Sequence, residues 1–432
     1  MTIDTRAEAT VAPAIPRQSP APQRKPAARL RWLDALRGIA VLAVVYEHFA
    51  GYLLPDVKAA TTHWVHAGTF GVMLFFLVSG YIVPASIERR GSVRDFWIGR
   101  VFRLYPAYLL TIGAGVLVAK VGSGALPSQF DDQRATSVLA HLTMLHEVIG
   151  VNNLQTQFWT LAYEMCFYLI VTVVFVAGVH RFSAEIAVLL AAAAAALGGL
   201  LPARMLVGDG LSLRNLSVVT ALVLFVGVVG VSSRRRVVIL ASAVLLGVFV
   251  LSLLGVNQRN GGWEGFIILA VMFTGTALYR AENGQISRLR AVIAVVTVVV
   301  SAVIAVYANR RMWWLIHVDQ FPAERAWLGG LVLALVFFGA GMLLRRRRVP
   351  GWLAWLGAVS YSVYLLHYVV IYLFSRVIVE LGDNPMTQRL GFAVVYLATL
   401  LGLSYLCYRF VEVPFQGLGR RAVRRLRRPA VA

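Results

Sequence analysis

Between residues 33 and 411 the chain returns twelve times to one pattern: an apolar run of about twenty residues, then a polar turn. The runs fall at about 33–54, 68–87, 103–121, 159–179, 184–201, 215–231, 236–254, 264–280, 290–308, 327–344, 353–374 and 390–411. A helix that spans a hydrocarbon core of about 30 Å needs roughly 20 residues. Stretches such as 291–308 and 328–344 carry no charge at all. One or two such stretches fit the core of a soluble protein; a dozen do not. Only 14% of the 432 residues are charged, against about 25% in a soluble domain. The pattern predicts an all-α fold, a polytopic membrane helix bundle of about 10–12 transmembrane helices.

The net charge of +21 would suggest a nucleic-acid partner in a soluble protein. In a membrane chain it is better explained by positive charge held on the cytoplasmic face, so no nucleic acid is expected. The arginines test this. With the N-terminus inside and the spans alternating, 28 of the 41 basic residues fall in inner segments, among them 89–103, 234–236, 280–290, 345–348 and 420–428. Removing one span would move several of these clusters outside. An even number of spans with both termini cytoplasmic, in the cell membrane, is therefore expected.

Residues 1–28 are rich in Ala, Pro, Arg and Gln without periodicity and read as a disordered cytoplasmic tail. Residues 29–415 form the transmembrane domain, and 416–432 read as a basic cytoplasmic tail with no room for a further domain. Such a tail suits contact with anionic lipid. The longest outer loop, about 122–158, contains His141, His146 and Glu147, and 137–149 has the makings of a short re-entrant or surface helix. Cys166 and Cys407 both lie in apolar runs and read as buried free thiols.

Ionisable groups within a span are costly and mark a cavity or a partner. Few occur here: Asp34, Arg37, Glu47 and His48 on the first span, Glu164 on the fourth and His367 on the eleventh. Arg37 and His48 are eleven residues apart, just over three turns, so they share a helix face at depths roughly 16 Å apart. Two polar groups on one face predict a polar path, with Arg37 near its inner end. Snorkelling of Arg37 and an interfacial His48 are the bland alternative. Glu164, five residues past Trp159 on an inward-running span, is expected level with His48, where a carboxylate would orient and tune the imidazole. Arg100 and Arg103 are neighbours at i and i+3 at the inner mouth of the third span. Two guanidiniums there read either as a phosphate clamp facing the cytoplasm or as ordinary positive-inside charge.

Six segments in order resemble the acyltransferase-3 family of membrane O-acyltransferases. Trp32-Leu33-Asp34-Ala35-Leu36-Arg37-Gly38-Ile39-Ala40 through His48 looks like its Arg-x10-His signature. Phe75-Phe76-Leu77-Val78-Ser79-Gly80-Tyr81 resembles its second span, and Arg100-Val101-Phe102-Arg103-Leu104-Tyr105-Pro106 its R-x-x-R-x-x-P segment. Phe158-Trp159-Thr160-Leu161-Ala162-Tyr163-Glu164-Met165-Cys166-Phe167-Tyr168 is similar to its W-[ST]-L-x-x-E-x-x-F-Y stretch. Ser360 through His367 and Val411-Glu412-Val413-Pro414-Phe415 look like its closing motifs. The resemblance implies transfer of an acyl group, acetyl by default, from cytoplasmic acyl-CoA to a hydroxyl. Family acceptors are mostly sugars of cell-surface polysaccharide, lipopolysaccharide or Nod factor, or the sugars of macrolide antibiotics. It implies no bound cofactor and no metal. On this reading Arg100 and Arg103 hold donor phosphates, and His48 acts as general base or carries the acyl group briefly. Glu164 tunes His48, and Arg37 lines the path or touches the donor.

The main alternative is a secondary transporter or exporter of a small molecule or glycan. Transporters with a basic, glycine-containing loop like 88–103 are built from repeated halves, and no second copy of that loop follows the eighth run. A flippase or a structural subunit is a third reading.

Overall fold

The computed structural model describes residues 30–121, 132–198, 200, 201, 203–208, 211–258, 262–309, 323–380 and 384–427. The expected N-terminal tail, Asp131 and residues 428–432 lie outside them. Among the described residues every long element is a helix. The twelve apolar runs correspond to α1 (Arg31–Leu53), α2 (Ala67–Arg90), α3 (Val93–Val121), α4 (Trp159–Val176), α5 (Ser183–Leu197), α6 (Leu213–Val231), α7 (Arg236–Val256), α8 (Gly262–Glu282), α9 (Arg288–Ala308), α10 (Ala323–Leu344), α11 (Gly351–Leu373) and α12 (Met386–Cys407). Among the described residues eleven helices are long and apolar enough to cross a membrane, within the expected 10–12. The one that falls short is α1, the helix bearing Asp34, Arg37, Glu47 and His48.

Burial follows that division. Helices α1, α2, α4, α8 and α11 bury most of their side chains inside the bundle. The remaining seven surround them and carry large apolar residues such as Leu222, Phe225, Val244, Val336 and Val394 on the outside. In water so much exposed apolar surface would drive aggregation; against lipid it is the lowest-energy face. α1 is clasped between α2 and α11. Two close approaches make this possible. A Cβ on Gly357 would lie 1.7 Å from the Asp34 carbonyl oxygen, and one on Gly71 would lie 2.5 Å from that of Ala40; α2 meets α8 as closely, a Cβ on Gly80 lying 1.8 Å from the Met272 carbonyl oxygen. Small residues of this kind let backbones pack where no hydrophobic force separates helix from lipid.

The arginine-rich ends meet at one end of the bundle. Arg280 of α8 binds Glu88 of α2, Arg345 pairs with Glu282 at 2.6 Å, and Arg290 lies 3.6 Å from Glu185. The chain's basic end is not a separate tail up to Arg427. After a π-helical turn at Tyr408–Glu412 it continues as α13 (Val413–Arg427), which packs on α3. At the opposite end, Glu47 accepts from Lys58 (3.0 Å), His66 (3.3 Å) and the Gly68 amide (3.2 Å). That binds it into a structural tie facing away from the bundle's cavity.

The connection before α4, over its described residues 132–158, folds back into the bundle. Short helices Arg134–Thr143 and His146–Ile149 lead into a buried 3₁₀ turn, Thr156–Phe158. Non-helical backbone at this depth needs protein partners, and it has them. Asn257 Nδ2 donates to the Val148 and Ile149 carbonyls at 2.9 and 3.0 Å, and Gln157 Nε2 donates to the Leu365 carbonyl at 2.8 Å. His141 fixes the segment as a neutral imidazole. Its Nδ1 donates to the Ser137 carbonyl (2.7 Å) and its Nε2 accepts the Leu154 amide (3.1 Å). Both roles are dictated, because a carbonyl only accepts and an amide only donates. Its ring stacks on buried His146 at 4.2 Å.

Two predictions follow from this packing. Gly80→Val forces α2 off α8 and is expected to lower stability by about 1–3 kcal/mol, whereas Gly113→Ala, where a Cβ meets nothing within 4 Å, leaves it unchanged or raised. Thermal midpoints of the two variants in detergent check the contrast; equal midpoints would refute the close approach. Burial holds His141 down at about 4 and pushes His146 well below the usual imidazole value. The unfolded chain thus takes up protons first. The segment's stability is full above pH about 6.5 and is lost as pH falls through about 4. Hydrogen exchange at 144–158 measured across that range should accelerate with acid in the wild type and less so in His141→Gln.

Candidate active site

A cavity of about 100 Å³ opens among α1, α2, α3, α4 and α11, in the half of the bundle nearer the arginine-rich end. Arg37, Ser79, Arg100, Arg103, Glu164, Ser360, Tyr361 and Tyr364 supply its polar wall, and Val72, Phe75 and Leu161 part of its apolar wall. The helical repeat brings these groups together. Glu164 and Tyr168 are one turn apart on α4, and Phe96 and Arg100 one turn apart on α3. The Glu164 carboxylate accepts the Tyr168 hydroxyl and, at 3.3 Å, the Ser79 hydroxyl. The Arg100 guanidinium lies between two rings, 5.1 Å from the centre of Phe96 and 4.8 Å from that of Tyr168, and Nη1 donates to the Tyr168 hydroxyl at 3.5 Å.

Charge within the cavity is compensated in place. Arg37 feels Asp34, Glu412 and Glu164 as opposite charges and Arg103 as a like one. Glu412, in the π-helical turn after α12, accepts from Ser362 and feels both Arg103 and Arg37. Three guanidiniums (Arg37, Arg100 and Arg103) and three carboxylates (Asp34, Glu164 and Glu412) from four elements therefore share the arginine-rich half of the bundle, the arrangement expected when ions are removed from water.

His48 belongs to a second cluster further along α1. Its Nδ1 is 2.9 Å from the Tyr368 hydroxyl, and its ring stacks on His367 with centroids 5.2 Å apart. His367 Nδ1 donates to the Tyr364 carbonyl at 2.6 Å. α1 and α11 run parallel, because Asp34 lies against Gly357 and His48 against Tyr368. The face of α11 thus joins the two sites: Tyr361 and Tyr364 line the cavity, and the Tyr364 ring lies 5.8 Å from His367. The Tyr364 hydroxyl in turn contacts Thr160 Oγ1 at 2.6 Å.

Arg37, Arg100, Arg103 and Glu164 line one cavity, whereas the expected pairing of Glu164 with His48 at one depth does not form. Among the described residues Glu164 is held by Ser79 and Tyr168, and His48 by Tyr368 and His367. The reason is the re-entrant segment. Counting depth from Trp159 assumes that α4 begins at the membrane surface. Instead the 3₁₀ turn before it is already buried, with the Gln157 carbonyl 3.0 Å from the Tyr364 hydroxyl. Five residues further, roughly 7.5 Å, place Glu164 level with Arg37. The i, i+3 pair also splits. Arg103 lines the cavity mouth, whereas Arg100 is buried and turned inward against α4. Ser79, Tyr168 and Glu412 are the polar groups that residue-by-residue reading passed over. All three sit in the quoted motifs, which was the available signal. Tyr368 follows the Ser360–His367 motif and gave none.

The Acyl_transf_3 family model, an acyltransferase domain, matches residues 30–409. The chain belongs to the acyltransferase-3 family. Among its relatives, the acyltransferase MdmB of Streptomyces mycarofaciens is 32% identical over 146 residues, 33% of this chain and 38% of that protein. The putative peptidoglycan O-acetyltransferase YrhL of Bacillus subtilis (strain 168) is 26% identical over 419 residues, 91% of this chain and 56% of its own length. The putative O-acetyltransferase SACOL0978 of Staphylococcus aureus (strain COL) is 25% identical over 142 residues, 32% of this chain and 19% of that protein. The chain spans about half the length of these curated relatives or less. No solved structure matches it. The family match covers every helix that lines the cavity, from α1 to α11.

The Arg100 sandwich can be tested apart from activity. Arg100→Lys keeps the charge and loses the planar stack, so it is expected to destabilise the fold by about 1–2 kcal/mol. The thermal midpoint in detergent reads this out, and an unchanged midpoint would mean the sandwich contributes nothing.

Proposed function

We propose that this protein is a membrane O-acyltransferase of the cell membrane. It moves an acyl group, acetyl by default, from cytoplasmic acyl-CoA to a hydroxyl of a carbohydrate or glycosylated acceptor. The observation that carries the reading is the compensated charge cavity at the arginine-rich end, joined along α11 by Tyr364 to the His48–His367–Tyr368 cluster. The positive-inside bias supports a cytoplasmic position for that end and for both termini, which is the side on which acyl-CoA is available. The similarity to YrhL, a putative peptidoglycan O-acetyltransferase, supports a polysaccharide acceptor.

The chemistry follows from the tautomer in which His48 Nδ1–H donates to the Tyr368 oxygen. Nε2 then keeps its lone pair and takes the proton of the acceptor hydroxyl as the oxygen attacks the thioester carbonyl. Arg37, about three turns nearer the arginine-rich end, lines the path the donor takes toward His48. When the carbon–sulfur bond breaks, the thiolate leaves and recovers the proton from Nε2. Arg103 meets the donor at the cavity mouth. Glu164 acts through position: it holds Tyr168, which carries one face of Arg100, and it balances Arg37. In this scheme Tyr368 is a positioning residue.

Purified protein given radiolabelled acetyl-CoA and a panel of glycosides should yield acylated product. His48→Ala is expected to lower kcat by about 10²–10⁴-fold, and Tyr368→Phe by less, with the KM for acetyl-CoA unchanged in both. Full turnover in His48→Ala would remove it as the base. Substrate movement without consumption of acetyl-CoA would replace the transferase with a secondary transporter.

A further inference from the structure

A second hollow, of about 380 Å³, lies outside the cavity at the arginine-rich end, between the first turns of α3 and the face of α13. Arg90, Asp95, Arg103, Arg420, Arg424 and Arg427 line it. It is a built groove. Gly419 lets α13 approach so closely that a Cβ there would stand 2.8 Å from Phe102 Cβ, and a Cβ on Gly99 would strike the Arg90 guanidinium. Arg420, Arg424 and Arg427 fall at i, i+4 and i+7, one face of α13.

The groove has more cations than anions. Asp95 is buried, and it is already engaged: Arg427 Nε lies 2.6 Å from Oδ2, Arg94 Nε lies 3.6 Å from Oδ1, and its carbonyl accepts Arg90 Nη1 at 2.7 Å. Among the described residues Arg420 and Arg424 make no hydrogen bond or ion pair with any partner, and Arg103 is balanced from the cavity side alone, by Glu412. Like charges gathered in one groove repel, and a multivalent anion relieves that repulsion. Positive-inside charge alone does not ask for a groove. Arg421 and Arg425, one position round the helix, meet that need without lining one. Arg103 borders both this groove and the cavity that holds Arg37 and Glu164, so a ligand anchored in the groove can extend past Arg103 into the cavity.

We propose that the groove between α3 and α13 binds the phosphate-bearing end of the acyl donor, the 5′-diphosphate and 3′-phosphate of its nucleotide, and so orients the thioester toward the cavity. The proposal rests on the acyltransferase reading. Forked guanidiniums suit phosphate oxygens, and the same chemistry would take the phosphate of an anionic lipid headgroup.

The test uses the full-length protein in nanodiscs of phosphatidylcholine, with or without phosphatidylglycerol, and two double variants, Arg420→Ala/Arg424→Ala and Arg421→Ala/Arg425→Ala. Binding of radiolabelled adenosine 3′,5′-bisphosphate is measured alongside turnover of acetyl-CoA and of acetyl-pantetheine, which lacks the nucleotide. The groove variant is expected to bind the bisphosphate at least tenfold more weakly and to raise KM for acetyl-CoA by a similar factor. Its kcat and its KM for acetyl-pantetheine stay at the wild-type values, and the opposite-face variant behaves as wild type in every measurement. Unchanged KM for acetyl-CoA in the groove variant, in a wild type that turns over, would overturn the groove and leave the acyltransferase standing. Equal losses in both double variants would also overturn it, showing a diffuse charge effect. Retention of phosphatidylglycerol by the wild type, lost in the groove variant while bisphosphate binding persists, would assign the groove to lipid. A wild type that consumes no acetyl-CoA under any condition would instead defeat the underlying reading.

Discussion

The cost of placing ions in hydrocarbon shapes this molecule more than any other single term. A charged side chain at mid-membrane costs several kcal/mol unless it finds a partner or water. α1 brings four ionisable groups into the bundle, so it cannot lie against lipid. The close packing at Gly71 and Gly357 is the structural answer. It lets α2 and α11 close around α1, while seven apolar helices take the lipid face. Once α1 is central, its arginine has to be balanced by groups from other helices. Glu164, Glu412 and Asp34 meet it from α4, the π-helical turn and α1 itself.

That compensation also leaves space. A guanidinium and a carboxylate set in partnership with Ser79, Tyr168 and a ring sandwich cannot pack like leucine. The polar wall of the cavity is the residue of that mismatch. The parallel run of α1 and α11 then matters, because it carries polar side chains of both helices outward in register, from Arg37 beside Tyr361 to His48 beside Tyr368. Two clusters a few turns apart become parts of one route without a break in either helix.

Much of this was legible in the sequence. Spans of twenty apolar residues give the long helices directly, since these follow from length. The cavity's four ionisable residues were identifiable because each is an expensive exception in an apolar run. Depth was not legible for Glu164. It depends on where the outer connection enters the bundle, and the burial of Gln157 and Phe158 is settled by contacts with α11 that leave no periodic mark. The fate of Arg100 was hidden for a related reason. Spacing says that Arg100 and Arg103 are neighbours; only the position of Tyr168 on α4 decides that one is drawn inward and the other stays at the mouth. The docking of α13 was hidden by composition, since a basic segment reads as solvated until Gly419 is seen against Phe102.

The separation of Glu164 from His48 sharpens the division of labour on the proposed route. A carboxylate that accepts from Ser79 and Tyr168 and balances Arg37 is committed to holding charge, and using it as a proton acceptor would release the groups it organises. His48 carries no such duty. One ring nitrogen is placed by Tyr368, the ring is supported by His367, and the other nitrogen is left for substrate. The acyl donor, approaching past Arg103, meets fixed charges that orient the thioester before it reaches the imidazole. Charge positions the donor at one depth, and a neutral base acts at another. The physical reason for two depths is that an imidazole set among the guanidiniums of the inner half would face their repulsion on taking a proton, whereas several turns along α1 that repulsion is weaker.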